Sequence, residues 1–227
     1  MFPNMQPAQT GSYVVTAVGP NGCSLTAGTT LTVYPNPTPS MTITPKLCLG
    51  GTATLTSEGG YLYDWYGPNG FVSHQQNAVF TVNSLSYTGT YTLGVIDQKG
   101  CQGYATGNLS VSPLPTASIS ANVNNKCAPY CANYSLITPS NLQTVYWNMN
   151  NTGTSIGNNF DFCFGTDGSK VLRVTYVDIN GCMNVASYTA NVYPSPKADF
   201  HFGPGDPVEN DLIQFTDGSL GPNISKW

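Results

Sequence analysis

The sequence predicts an all-β protein, a tandem array of β-sandwich domains. Three observations predict it: a composition rich in turn formers and β-favouring residues, apolar residues that alternate with period two, and an internal repeat of about eighty residues. The 227 residues include 24 Gly, 17 Pro and 14 Tyr, with 11% aromatics and abundant Val, Ile and Thr. Such a chain reads as many short strands joined by tight turns. Charged residues make up 8%, against about 25% in an ordinary soluble domain. The aromatic content sets the chain apart from disordered sequences, which lack such residues. No apolar run approaches the roughly 20 residues of a membrane-spanning helix. The seven basic residues are scattered singly and the net charge is −4, with a pI near 4.8. Nucleic acid, which needs clustered cations, is excluded as a partner. The opening MFPNMQPAQTG has neither a basic region nor an apolar core, so it is no signal peptide.

The alternation is clearest in Tyr13, Val15 and Ala17 against Val14, Thr16 and Val18, and again in Tyr91, Leu93 and Val95. Period two predicts half-buried strands. Asn21-Gly22, Lys99-Gly100 and Asn180-Gly181 follow these runs at the place of a hairpin turn, where positive φ suits glycine. No stretch reads as a helix.

The repeat is read from Gly11–Cys23, matched 78 residues later by Gly89–Cys101 and more loosely by Leu172–Cys182. About ten residues after each Cys come Val33-Tyr-Pro-Asn-Pro37, Val111-Ser-Pro-Leu-Pro115 and Val192-Tyr-Pro-Ser-Pro196. Paired prolines cannot sit in a central strand and stiffen the chain, so these are the expected linkers. The array then has the C-terminal half of one domain at 1–35, complete domains at 36–115 and 116–196, and the N-terminal part of another at 197–227. Phe2 aligns with Phe80, and Trp227 stands where a core Trp is expected. Such ends inside domains predict a fragment of a longer exported polypeptide.

These motifs resemble the immunoglobulin-like and PKD-like repeats of giant surface adhesins from gliding bacteria of the Bacteroidota. In 36–115 the resemblance rests on Leu47-Cys-Leu-Gly-Gly-Thr-Ala-Thr-Leu-Thr56, Tyr63-Asp-Trp-Tyr66, Gly89-Thr-Tyr91 and Gly100-Cys101. In 116–196 it rests on Cys127-Ala-Pro129, Tyr146-Trp147 and Asn180-Gly-Cys182, and in the last segment on Ala198-Asp-Phe200 and Ile213–Asp217. Asn148-Met-Asn-Asn151 replaces the Gly-Asp-Gly loop expected after the Trp, a departure from the PKD pattern. The resemblance implies export by the type 9 secretion system and attachment outside the outer membrane of a Gram-negative cell. It also implies contact with polysaccharide, other surface ligands or the motility machinery.

Seven cysteines and two histidines favour disulfides, which belong to oxidising compartments. Two connectivities compete. One staples each domain internally, Cys48 to Cys101 and Cys127 to Cys182; the other crosses linkers, Cys23 to Cys48 and Cys101 to Cys127. Both leave Cys131 to pair with Cys163. The intradomain scheme strands only Cys23, whose partner would precede Met1, and is the expected one. Each such staple would contribute roughly 4 kcal/mol in the chain-entropy model.

Catalysis is not expected. His74 and His201 belong to different domains and neither has a nucleophile motif, while Glu58 and Asp64 read as turn or solvated acids. Calcium is the one cofactor considered, through Asp97 and Asp178 before the hairpin cysteines and through Asp206, Glu209, Asp211 and Asp217. The spacing is not that of an EF-hand, and turn chemistry is the plainer reading. Trp65 and Trp147 occupy the core-Trp position of a sandwich, and Tyr13 and Tyr91 read as tyrosine corners. Tyr61, Tyr66, Phe71 and Tyr130 remain as candidate ligand contacts. Asn108, Asn133, Asn150 and Asn223 open chance glycosylation sequons. The function expected is a non-catalytic, disulfide-stapled stalk of a long adhesin. The alternatives are a polysaccharide-binding module and the spacer of an exported hydrolase.

Overall fold

The computed structural model describes residues 4–122, 125–149 and 153–221. Phe2, Trp227, Asn150, Asn151 and the Asn223 sequon lie outside them. The chain divides into two compact units, Met1–Pro113 and Leu114–Trp227. That boundary falls inside the proline-rich stretch Val111–Pro115. Among the described residues the regular structure is strand, with three 3₁₀ turns and no α-helix.

The first unit opens with a hairpin, β1 (Gly11–Val18) and β2 (Ser24–Leu31). A sandwich follows, formed by β3 (Ser40–Ile43), β4 (Lys46–Cys48), β5 (Thr52–Glu58), β6 (Leu62–Tyr66), β7 (Val72–Ser73), β8 (Ala78–Thr81), β9 (Gly89–Ile96) and β10 (Gln102–Ser112). Its sheets are β3-β5-β8 and β4-β10-β9-β6-β7. All pairings are antiparallel except β4 with β10, where Cys48 lies opposite Ser112. Alternation places Ala53 and Leu55 of one sheet against Trp65, Tyr91, Leu93, Val95, Leu109 and Val111 of the other, all buried. At about 25 cal/mol per Å², burying an aliphatic side chain of this size stabilises by roughly 1.5–3 kcal/mol.

The second unit repeats the plan with β11 (Ser118–Ala121), β12 (Tyr130–Ile137), β13 (Leu142–Met149), β14 (Gly153–Ile156), β15 (Asn159–Phe164), β16 (Gly168–Asp178) and β17 (Met183–Val192). Its sheets are β11-β12-β15 and β14-β13-β16-β17. Tyr134, Leu136, Phe160 and Phe164 pack on Val145, Trp147, Leu172, Val174, Tyr176 and Val192. A short pair, β18 (Phe200–Gly203) and β19 (Gln214–Asp217), follows.

The period-two strand at Tyr13–Val18 forms, but it is not half-buried as the alternation predicts. Val14, Val15 and Val18 are each about two-thirds exposed. The reason is that among the described residues β1 pairs only with β2, and the hairpin belongs to neither buried core.

The hairpin turns share one chemistry. The Asp97 Oδ1 accepts hydrogen bonds from the Lys99 and Cys101 amides at 2.8 and 2.9 Å. Asp178 Oδ1 does the same for Asn180 and Cys182 at 2.8 and 2.9 Å. Gly100 and Gly181 supply the positive φ, 83° and 81°. In the β1–β2 hairpin Gly19 stands where the aspartate would be.

Each sandwich also grips the prolines that lead into it. In the first unit Gly103 comes so close to the linker that an added Cβ would stand 2.0 Å from the Pro37 carbonyl oxygen. The Lys99 ammonium lies 5.3 Å from the Tyr34 ring centroid, a cation–π contact. In the second unit Asn184, at the place of Gly103, donates from Nδ2 to the Pro115 carbonyl oxygen at 3.0 Å. Pro115 is buried there. Thr138 Oγ1 donates to the neighbouring Thr116 carbonyl at 2.7 Å.

Candidate functional site

The cysteines depart from the expected pairing. Cys131 and Cys163 face each other across β12 and β15 and form a disulfide. Cys23, Cys101 and Cys127 carry free thiols, so neither Cys48–Cys101 nor Cys127–Cys182 is closed. Strand geometry is the cause. Cys101 directly precedes β10, whereas Cys48 pairs beside Ser112 at its far end. The 11 residues of β10 separate them by about 35 Å, and a disulfide needs Cα atoms within about 7 Å. Likewise Cys182 precedes β17, while Cys127 bridges Tyr193 just beyond its end. The ten residues of β17 make that gap about 33 Å.

Of the candidate contact residues, two are core-packed. Phe71 is half-buried, its ring 4.4 Å from Phe80 and 5.5 Å from Tyr91 by centroid. Tyr130 rests on Phe164 at 5.1 Å with its hydroxyl buried, and burial raises its pKa above the usual phenol value. Tyr61 and Tyr66 are exposed, 65% and 53%, but they do not form one patch. They lie five residues apart, about 17 Å along the chain, and opposite parity turns them to opposite faces. Tyr61 borders an open hollow with Gly59, Gly60, Asp97 and Lys99. Tyr66 lies on the outer face of the five-stranded sheet.

That outer face holds an aromatic the sequence reading did not single out. Tyr104 is 68% exposed and lies across β9 from Asp64, in the row Asp64–Gly94–Tyr104. Its ring covers Gly94, where an added Cβ would meet Tyr104 Cε1 at 3.3 Å. Tyr66 stands two strands and two residues away, about 12 Å between backbones. Asp64 and His74 pair at 2.5 Å beside them. The signal in the sequence was the small Gly94 opposite Tyr104, readable only once the register is known.

Trp65 and Trp147 are fully buried. Each indole Nε1 donates to a backbone carbonyl ten residues on, Gln75 at 3.0 Å and Gly157 at 2.7 Å. The Tyr91 hydroxyl donates to the Tyr87 carbonyl at 3.0 Å and Tyr13 to Gln9 at 2.8 Å. Both are tyrosine corners. Burial, with Tyr87 alongside, pushes the Tyr91 pKa up to about 12. Burial raises that of Tyr134 as well, with Tyr130 and Tyr188 adding to it.

Four of the acidic residues serve turns. Asp97 and Asp178 clamp the hairpins, and Asp211 Oδ2 accepts from the Val208 amide at 2.8 Å. Asp217 Oδ1 accepts from the Ser219 amide at 3.0 Å. Asp64 pairs with His74, not with Glu58, and His201 lies exposed on β18. Among the described residues no three His, Cys, Asp or Glu side chains gather as a metal site. The Asn108 amide oxygen accepts from Thr90 at 2.7 Å, and Asn133 donates to Asp161 at 2.8 Å.

No protein family's sequence profile matches the chain, and no curated protein matches it. Solved structures match in fold. The PKD1 domain of the Vibrio cholerae metalloprotease PrtV is 18% identical over 35% of this chain and 96% of its own, with TM-score 0.30. The fibronectin(III)-like modules of Clostridium thermocellum CbhA are 9% identical over 67% and 94%, with TM-score 0.37. A 1.5-MDa bacterial ice-binding adhesin, described for host cell surface retention, is 18% identical over 74% and 68%, with TM-score 0.40.

Proposed function

We propose that this chain is a non-catalytic stalk segment of a long exported adhesin, built from the repeats bounded at residues 35, 115 and 196. The observation that carries the reading is the grip of each sandwich on the prolines leading into it, through Gly103 on Pro37 and Asn184 on Pro115. Proline stretches are stiff already, and a linker packed on its own domain loses the freedom that a tether would keep. The Cys131–Cys163 disulfide suits an oxidising, extracellular setting. The resemblance to gliding-bacterium repeats supports type 9 export to the surface of a Gram-negative cell. Neighbouring repeats of the same chain would be the standing partners.

A second reading has its own observation: the Tyr104 ring lying over Gly94 beside Tyr66 and the Asp64–His74 pair. An exposed ring of this kind can stack on a sugar while carboxylate and imidazole bond its hydroxyls. Calorimetric titration of the oxidised chain against soluble polysaccharides, with calcium and with chelator, separates the two. The stalk reading expects no saturable heat. Saturable heat lost in Tyr104→Ala or Tyr66→Ala makes the outer face a binding site instead.

A further inference from the structure

The β1–β2 hairpin is amphipathic. Its register sets Tyr13 beside Thr29, Val15 beside Ala27, Ala17 beside Leu25 and Gly11 beside Leu31, and directly paired residues share a face. One face is therefore apolar, made by Tyr13, Val15, Ala17, Leu25, Ala27 and Leu31. All six are exposed. The other face is mostly hydroxyl-bearing, with Thr16, Thr26 and Thr30 set among Val14 and Val18.

The internal repeat shows what such a face takes against it. At the 78-residue offset Tyr13, Val15 and Leu31 fall on Tyr91, Leu93 and Leu109. Those three are buried in one core with Ala53 and Leu55 of the opposite sheet. Small aliphatic side chains are thus its proper cover. The hairpin's own Ala17, Ala27 and Leu25 offer that chemistry, so the face is complementary to itself. Charge points the same way. Gly11–Leu31 contains no Asp, Glu, Lys, Arg or His, so two such faces meet without like-charge repulsion and without burying an ion. The centres of protein interfaces are depleted of charge in the same manner. A two-stranded hairpin is marginal on its own in water, so covering this face is favourable.

Area sets the strength. Strands of eight residues make a face about 27 Å long and, with side chains, about 15 Å wide, or about 400 Å² on each copy. The roughly 800 Å² that a pair would bury lies below the roughly 1,200 Å² of a standard interface, in the range of weak, transient association.

We propose that the apolar face of the β1–β2 hairpin is a docking surface for the same face of a second copy of this chain, the two hairpins stacking sheet on sheet about a two-fold axis. Val15 stands in the middle rows of the hairpin, so a two-fold centred on the face brings the Val15 positions of both copies near each other. The contact joins chains in pairs and lets them separate again. It goes beyond the stalk reading, which rests on the linker prolines and stands whether or not the chain pairs.

The test is sedimentation equilibrium on the full oxidised chain, with its free thiols alkylated so that the exposed Cys23 cannot link copies. From micromolar to millimolar concentration the mass is expected to rise from one chain toward two. Val15→Lys and Val14→Lys give the decisive comparison, because these neighbours are equally exposed, 66% and 68%, on opposite faces. Lysine at 15 sets like charges in the contact and is expected to weaken pairing at least about tenfold, whereas lysine at 14 should leave it within about twofold. An equimolar mixture of Val15→Lys and Val15→Glu chains replaces repulsion with attraction and is expected to restore pairing, which a misfolded hairpin could not do. A chain that stays single at every concentration overturns the proposal. So does pairing that Val14→Lys weakens as much as Val15→Lys, a Lys and Glu mixture that stays unpaired, or a mass that climbs past two chains.

Discussion

Tyr91 ties the ascending strand to the turn before it, and its hydroxyl has no better partner than the Tyr87 carbonyl at 3.0 Å. Tyr91→Phe keeps the ring among Phe71 and Phe80 and removes only that bond, so a loss of about 1 kcal/mol is expected in urea unfolding. The pH dependence has a definite sign. The folded pKa is raised to about 12, above the value of about 10 in an unfolded chain. The contribution is therefore complete below pH 10 and declines as pH rises toward 12, because the unfolded state releases its proton first. Tyr134 is raised in the same direction, so Tyr91→Phe should flatten the alkaline decline without abolishing it. An unchanged slope would remove Tyr91 from the account. Asp97 and Asp178 give a second prediction. Each carboxylate accepts two backbone amides, and Asp→Ala at either is expected to cost about 1.5–3 kcal/mol. Asp97→Asn keeps an acceptor oxygen and should lose less. Chelator should leave the wild-type melting temperature in place; a chelator-dependent drop would return calcium to these turns.

The Cys131–Cys163 bond closes a separation of 32 residues between neighbouring strands, for which the chain-entropy model gives about 3–4 kcal/mol. The double change Cys131→Ala with Cys163→Ala should lower the denaturant midpoint of the second sandwich accordingly and leave that of the first unmoved. The linker grip is tested by Gly103→Ala, which would place a methyl against the Pro37 carbonyl, and by Asn184→Ala, which removes the bond to Pro115. Both are expected to speed cleavage by a proline-specific protease at the affected linker, relative to the other linker in the same chain. Elements of this kind differ in how far a sequence displays them. The strands, the hairpin glycines and the proline pairs are written locally, in period two and in turn chemistry. The grip is not, because Gly103 and Asn184 do the same job by close approach and by hydrogen bonding. The cysteine pairing failed for a related reason: β4 leaves β3 and β5 to lie parallel beside the end of β10, and no local pattern announces that switch of sheets.

At the scale of the whole molecule, the surface was less legible than the core. Trp65, Trp147 and Tyr91 declared themselves by motif, whereas Phe71 and Tyr130 looked like surface aromatics until Phe80 and Phe164 were found against them. Tyr104 went unnoticed because its exposure depends on which strand lies beyond Gly94. A stalk must also answer to force, and here the disulfides make a prediction that composition could not. A pull applied in the full oxidised chain through handles at Leu114 and Pro196 should open the second sandwich, and its release should be shortened by the loop that Cys131 and Cys163 close. Adding reductant should free that loop, whose separation of 32 residues corresponds to about 110 Å of extended chain. Single-molecule stretching reads each length directly. A release indifferent to reductant would remove the staple from the mechanics.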